Sequence, residues 1–145
     1  MKITILDKQP GEEDEIIIKC ANLDDNLMKL INSFKAGKTK LNFYKDSKIV
    51  LVAPEDIYYF ETIDQRIFAY TDNEVYETRS RLYMLEETLP QQDFFRASKA
   101  VIINLDKIES ISTSFGGRFE AVMKNGYKII ISRMYVNLLK ERLGI

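Results

Sequence analysis

The chain has 145 residues, of which 46% are hydrophobic and 30% charged, and its formal net charge is −1. This length suits one domain with a short appendage, and the composition is typical of a globular protein and excludes general disorder. The overall balance argues against a simple basic nucleic-acid binder, but residues 90–145 hold nine Lys and Arg against five Asp and Glu, a net charge of +4. Positive charge is therefore concentrated in the C-terminal part of the chain.

Several classes of protein lack support in the sequence. No run approaches the roughly 20 apolar residues of a membrane-spanning helix, and the start of the chain lacks the pattern of a signal peptide, so we expect a cytoplasmic protein. There is no histidine and only one cysteine, which argues against zinc and general acid–base chemistry. No glycine-rich phosphate loop or nucleophile elbow is present either, so we expect no enzyme, metal or cofactor. The single Cys20 is expected to be a small buried apolar group.

The N-terminal part predicts two strands and one helix. The apolar runs in residues 2–6 and 14–20 indicate strands on either side of an acidic turn. The next segment places apolar residues at helical spacing on one face: Leu23, Leu27, Leu30, Ile31 and Phe34. Asn22 or Asp24 can cap the start of this helix, and Gly37 can end it.

A basic and polar segment, residues 38–47, suggests a boundary, and short strands with turns follow it. The predicted strands cover 48–53, 56–62, 66–71 and 74–78, with Asp-Gln and Asp-Asn turns at the corners of a meander. We expect the aromatic run at 58–60 to pack in the core rather than to stack on bases. A short helix follows with Ser80 as its cap and Leu82, Leu85 and Leu89 facing inward.

The segment FFRASKAVIIN, residues 94–104, predicts a buried strand with polar groups at its entrance. Phe94, Phe95 and residues 100–103 are expected in the core, and Asn104 is expected to end the strand by local hydrogen bonding. Two further turns are predicted at Gly-Gly and Asn-Gly pairs, with strands around them. The last segment predicts a helix with Ser132 as its cap and an apolar face of Met134, Leu138 and Leu143.

Four segments, taken in this order, resemble the LytTR domain, a DNA-binding domain of bacterial transcription regulators. They are IVLVAPEDIYYFET, TRSRLYMLEETL, DFFRASKAVIINLDKIESI and GYKIIISRMYVNLL, and together they lie within residues 49–143. The third resembles the family pattern F-x-R-x-H-[RK]-S-x-[LIV]-V-N. The resemblance implies a mainly β fold, α+β overall, in which small antiparallel sheets with short helices form a DNA-binding domain over 46–145. Residues 1–45 would then be a β-β-α region for dimerisation or regulation, like that of the stand-alone members.

The same resemblance implies a function. Family members bind double-stranded DNA through loops at sheet edges, reach two successive major grooves and recognise paired direct repeats. This chain is accordingly expected to be a stand-alone transcription regulator and a homodimer, with a small inhibitory membrane protein as a partner. The residues before the domain are too few to hold a receiver domain. A protein- or ligand-binding module on the same scaffold is the alternative, motivated by the acidic total and the missing family histidine.

Seven residues are candidate DNA contacts: Gln65, Arg66, Arg79, Arg96, Ser98, Lys99 and Arg133. The resemblance implies contacts from the loop of Gln65 and Arg66, from the third segment and from Arg133, whereas Arg79, which precedes the short helix, is expected to contact the DNA backbone. Arg133 follows the predicted cap of the last helix, where backbone N–H groups and the helix dipole favour a phosphate, and its guanidinium can also read guanine. Each of these residues also has an ordinary explanation as a solvated surface or turn residue. Ser98 replaces the family histidine and can hydrogen-bond but not stack, which bears on the target sequence.

Overall fold

A computed structural model describes residues 2–35 and 40–145, without the side chains of residues 33–35. Contacts divide the chain into two compact units, one up to residue 37 and one from residue 38 onwards. The helices are α1 (Asp25–Lys35), α2 (Leu82–Thr88) and α3 (Arg133–Leu143). The strands are β1 (Leu41–Lys45), β2 (Lys48–Val52), β3 (Tyr59–Ile63), β4 (Arg66–Tyr70), β5 (Val75–Thr78), β6 (Phe94–Ser98), β7 (Val101–Asn104), β8 (Ile108–Thr113), β9 (Phe119–Met123) and β10 (Lys128–Ile131).

The first unit differs from the sequence prediction before α1. Residues 2–6 and 14–20 form no strand, so the predicted β-β pair is wrong, although a turn at Gly11 does connect the two segments. A strand is stable only with a hydrogen-bonded neighbour, and these two segments do not pair. Their apolar side chains are exposed: Ile3, Ile5, Leu6, Ile16, Ile17 and Ile18. Cys20 is exposed as well, which corrects the prediction that it is buried.

Helix α1 forms where its apolar spacing predicted it. The Asp24 carboxylate accepts a hydrogen bond from the Leu27 N–H at 2.8 Å, which makes Asp24 the cap rather than Asn22. Leu27 and Ile31 are half-buried, whereas Leu30 is exposed. The side chain of Phe34 and the predicted helix end at Gly37 lie outside the described residues.

The second unit is built on a seven-stranded antiparallel sheet in the order β2-β1-β5-β4-β3-β7-β6. Strand β1 lies inside the segment 38–47 that the sequence suggested as a boundary, and it pairs with both β2 and β5. The sequence analysis missed this strand because its polar residues, such as the exposed Asn42, resemble those of a linker, and only Phe43 is fully buried. The turns at the ends of this meander follow the prediction, since Asp64 and Gln65 join β3 to β4 with φ angles of 50° and 63°.

A three-stranded antiparallel sheet, β10-β9-β8, completes the second unit together with α2 and α3. Tyr59, Phe95 and Ile103 pack with Ala121, Met123, Ile129, Ile131, Val136 and Leu139 in one core cluster. Phe43, Ile57, Phe60, Ile67, Phe94 and Ile102 pack with Leu82, Leu85 and Leu89 in the other. The predicted burial of the aromatic run at 58–60, of residues 94–95 and of the α2 leucines is therefore confirmed.

Both helices of the second unit correct details of the prediction. Helix α2 has Arg81 rather than Ser80 at its N-cap, with no side-chain capping bond. In α3 the buried residues are Val136 and Leu139, whereas the residues of the predicted apolar face are exposed: Met134, Leu138 and Leu143. The Ser132 N–H donates to the Ala97 carbonyl at 2.9 Å, and this tether fixes which face of α3 turns inward.

The prediction of a mainly antiparallel β protein with short helices is confirmed. In the described part of the chain, no helix has the length and apolar character needed to span a membrane.

Candidate nucleic-acid interface

The segment FFRASKAVIIN is a hairpin rather than one long strand. Strands β6 and β7 pair antiparallel with a register shift between Arg96 and Ser98, and the turn falls at Lys99 and Ala100. The Ser98 hydroxyl accepts a hydrogen bond from the Ala100 N–H at 3.3 Å, which closes the turn locally. Lys99 is exposed at the tip of the hairpin, so its ammonium group is directed away from the core.

Arg96 holds this turn in shape. Its guanidinium donates to the Ser98 carbonyl at 2.7 Å and to the Lys99 carbonyl at 2.6 Å. A third hydrogen bond reaches the Glu86 carboxylate at 3.0 Å, and only 18% of the Arg96 side chain is exposed. Arg96 therefore stabilises the backbone of the turn that carries Lys99, and most of its donors are already used within the protein.

Arg133 is placed beside this hairpin by the start of α3. The Ser132 N–H donates to the Ala97 carbonyl at 2.9 Å, and the Ser132 hydroxyl lies 3.4 Å from the same oxygen. Ser132 is at the N-cap position as predicted, but its hydroxyl makes no capping bond. Arg133 is the exposed first residue of the helix, and its stem packs so closely on Gly117 that a Cβ there would lie 3.0 Å from its Cδ.

The β3–β4 hairpin also lies next to the β6–β7 turn, on the side away from Ser132. The Thr62 N–H donates to the Ala100 carbonyl at 2.8 Å, which ties the end of β3 to the β6–β7 turn. Gln65 is exposed at the tip of this hairpin. Arg66 donates to both carboxylate oxygens of Glu77, at 2.9 and 2.5 Å, and this hydrogen bonding holds the pKa of Glu77 below its ordinary value. The charge of Arg66 is therefore largely balanced by a neighbour.

Arg79 lies one strand further along the same end of the sheet. Thr78 is paired with Ile67, so the residue after β5 is next to the β3–β4 hairpin. The Arg79 guanidinium stacks over the Tyr44 ring at 4.2 Å from its centroid, while the residue itself stays exposed. This arrangement presents a preorganised cation at the edge of the sheet.

Two backbone hydrogen bonds thus bring three predicted loops together, because Ala97 and Ala100 accept from opposite sides of one hairpin turn. The five cations among the seven predicted residues divide into two groups. Arg66 and Arg96 are bound to Glu77 and Glu86, respectively. Arg79, Lys99 and Arg133 are exposed and have no carboxylate partner among the described residues.

The sequence predicted a turn between β8 and β9, but it did not predict that this loop lies against Arg133. The loop carries the exposed residues Phe115 and Arg118 on either side of Gly116 and Gly117. The glycine pair signalled the turn, but nothing in the sequence indicated its neighbour in space. Among the residues the structure describes, no cluster of carboxylates or cysteine could hold a metal ion.

Comparison with known proteins identifies relatives of this chain. A family model described as the LytTr DNA-binding domain matches residues 47–144. The sensory transduction protein LytT of Enterococcus faecalis is 34% identical over 100 residues, which cover 69% of this chain and 41% of that protein. The chain thus spans about two fifths of the length of LytT.

A second relative matches from end to end. An uncharacterized HTH-type transcriptional regulator of Staphylococcus aureus is 31% identical over 147 residues, which cover 100% of this chain and 99% of that protein. A solved LytTr DNA-binding domain from Bacillus cereus superposes with a TM-score of 0.72 at 22% identity, covering 75% of this chain and 100% of that domain. This structural likeness concerns the fold.

Proposed function

The chain belongs to the LytTR family of DNA-binding domains, and on that premise we propose that it is a sequence-specific, non-catalytic regulator of transcription. It binds double-stranded DNA through the loops at one end of its seven-stranded sheet. The observation that supports this proposal is the hydrogen bond from the Ser132 N–H to the Ala97 carbonyl, which joins the start of α3, with Arg133, to the hairpin that carries Lys99. Both cations are exposed and have no carboxylate partner among the described residues.

The geometry supports different roles for these residues. Arg133 has the accessible guanidinium that can pair bidentately with guanine in the major groove, and Gln65 has an exposed amide suited to adenine. Lys99 and Arg79 supply charge for phosphates, which gives affinity without sequence information. Ser98 uses its hydroxyl within its own turn, and Arg96 and Arg66 position the loops. We expect the operator to differ from that of relatives with histidine at the Ser98 position.

The first unit is proposed to mediate assembly and control. Its exposed isoleucines and the half-buried face of α1 support a homodimer that places two DNA-binding units on paired direct repeats. A small inhibitory membrane protein that binds this unit in the cytoplasm is the proposed regulatory partner. The alternative, a protein- or ligand-binding module without DNA, makes the opposite prediction for duplex binding.

The proposal is tested by selecting binding sites for the full chain from a pool of random duplexes and measuring Arg133→Ala on the selected site. Losing one bidentate base contact should cost about 1–3 kcal/mol, which is roughly 5–150-fold in affinity, and should relax the preference at one base pair. Lys48→Ala is the control, because Lys48 begins the outermost strand β2. It should bind like the wild type.

Selection of no sequence at all would contradict the proposed function and favour the module without DNA. Equal binding by Arg133→Ala and the wild type would remove Arg133 from the base-contacting group.

A further inference from the structure

Phe115 is one of the most exposed apolar residues of the second unit. Its side chain is 90% exposed at the tip of the loop between β8 and β9. The loop is closed by a hydrogen bond of 2.7 Å from the Ser114 N–H to the Arg118 carbonyl, directly after the pair formed by Thr113 and Phe119. A short, closed hairpin therefore holds the ring outside the core, where it gains almost nothing from folding.

The loop is built to lie against Arg133. Gly116 and Gly117 have φ angles of 73° and 76°, which residues with a side chain rarely adopt. A Cβ on Gly117 would also lie 3.0 Å from the Arg133 Cδ, so the missing side chain lets the loop backbone touch the arginine stem. The same turn therefore sets both the position of the Phe115 ring and the path of Arg133.

The surroundings of Phe115 indicate what kind of surface it meets. Arg118 and Arg133 flank the loop, both are exposed, and neither has a carboxylate partner among the described residues. An apolar protein surface would leave both guanidinium groups without partners, at a cost. A DNA duplex satisfies the charges with phosphates and base edges, and its major groove also offers an apolar group.

We propose that Phe115 packs against the 5-methyl group of a thymine in the major groove, next to the base pair contacted by Arg133. The inference rests on the proposed function and deepens it by naming a specificity-determining residue. A phenyl ring has no hydrogen-bonding group, so it can discriminate only through apolar contact. Thymine is the only base that presents a methyl group in the major groove, and this decides the base that Phe115 reads. Arg118 contacts a neighbouring phosphate.

The test uses the full chain and the site selected from random duplexes, with each thymine replaced in turn by deoxyuridine, which lacks only the methyl group. One thymine beside the Arg133-dependent base pair should be sensitive, with a roughly threefold to fourfold loss of affinity, as expected for one buried methyl. Phe115→Ala should bind the unmodified site more weakly and should no longer distinguish thymine from deoxyuridine there. Ile49→Ala, which removes a 65% exposed apolar side chain on strand β2, should keep the full distinction.

The outcomes separate this inference from the proposed function. Two results would overturn the role of Phe115 and leave the proposed function standing. Either the selected site depends on Arg133 while no replacement of thymine by deoxyuridine lowers affinity, or such a replacement lowers the affinity of Phe115→Ala as much as that of the wild type. A change of oligomeric state in Phe115→Ala with unchanged DNA binding overturns this role in favour of a second copy of the chain as the partner. Failure to select any site removes both proposals together. Equal melting temperatures for the variant and the wild type establish that folding is intact.

Discussion

The arginines that the sequence analysis treats alike differ in whether a carboxylate binds them in the folded chain. Arg96 and Arg66 each match a family position, yet their guanidinium groups are bound by Glu86 and Glu77, which lie 10 and 11 residues away along the chain. Arg133 has no such partner among the described residues and packs its stem on Gly117. The resemblance could identify all three positions, but the proposed division into positioning and DNA-contacting residues depends on neighbours that only the folded chain brings together.

Asn104 makes one local hydrogen bond and one to a residue far away along the chain. Its Oδ1 accepts from the Asp106 N–H at 3.0 Å, which confirms the predicted local hydrogen bond at the strand end. Its Nδ2 also donates to the Ile57 carbonyl at 2.8 Å, in an environment where Asn104 is 1% exposed. Local spacing predicts the first hydrogen bond, whereas the second depends on the pairing of β3 with β7.

Asp93, just before β6, gives a prediction for the pH dependence of stability. Burial raises the pKa of its carboxyl above the ordinary value, and the charge of Asp106 and a hydrogen bond with it raise the pKa further. The folded state therefore binds this proton more tightly than the unfolded state does. The stability from this group is fully present below the unfolded pKa and is lost as pH rises through the folded pKa.

We therefore expect Asp93→Asn to melt at a higher temperature than the wild type at pH 7. The difference should shrink as pH falls toward about 4, near the ordinary pKa of an aspartate. Thermal unfolding followed by circular dichroism at several pH values measures it, with Asp7→Asn in the exposed N-terminal segment as the control. A difference that stays constant or widens at low pH would contradict this account of Asp93.

At the scale of elements, alternation and turn residues predicted most of the second unit. The strands from β2 to β5 follow from short apolar runs separated by turns, and the fold class follows from their number. Strand β1 was missed because its polar residues resemble a linker. The β6–β7 hairpin was missed because Lys99 and Ala100 carry no turn signal, and the hydrogen bonds of Arg96 supply the stabilisation instead.

In the first unit the sequence predicted strands that the structure does not contain. Residues 2–6 and 14–20 have the composition of strands, but strand formation requires a neighbour, and none of the described residues pairs with them. A second copy of the chain would offer such a neighbour, and dimerisation would remove the exposed isoleucines from water.

We predict that the full chain sediments as a dimer of 16.9 kDa protomers and that removing residues 1–37 gives a monomer. Ile17→Asp in the full chain should also weaken the dimer, because it places a charge on an apolar side chain that is 68% exposed in the single chain. Analytical ultracentrifugation over a range of concentrations measures both. A full chain that stays monomeric at high concentration, or a dimer that survives the deletion, would contradict the role given to this unit.

For the whole molecule, the distribution of charge matters more than its total. The net charge of −1 conceals an excess of four positive charges in residues 90–145, which supply the Lys99 turn, the Arg118 loop and Arg133. Composition alone therefore gives the wrong impression of the surface that is proposed to bind DNA. Where these cations converge depends on the sheet order and on the two hydrogen bonds around the β6–β7 turn, which composition cannot predict.

The most direct test of the central claim is the affinity of the full chain for a random duplex between 50 and 200 mM salt. We expect binding at low salt and a steep loss with rising salt, because cations that neutralise phosphates release counterions; six phosphate contacts would give about a thousandfold decrease. Lys99→Ala should lower the salt slope by about one unit, while Lys48→Ala should leave it unchanged. No binding at 50 mM salt, or an affinity that does not respond to salt, would contradict DNA binding by this surface.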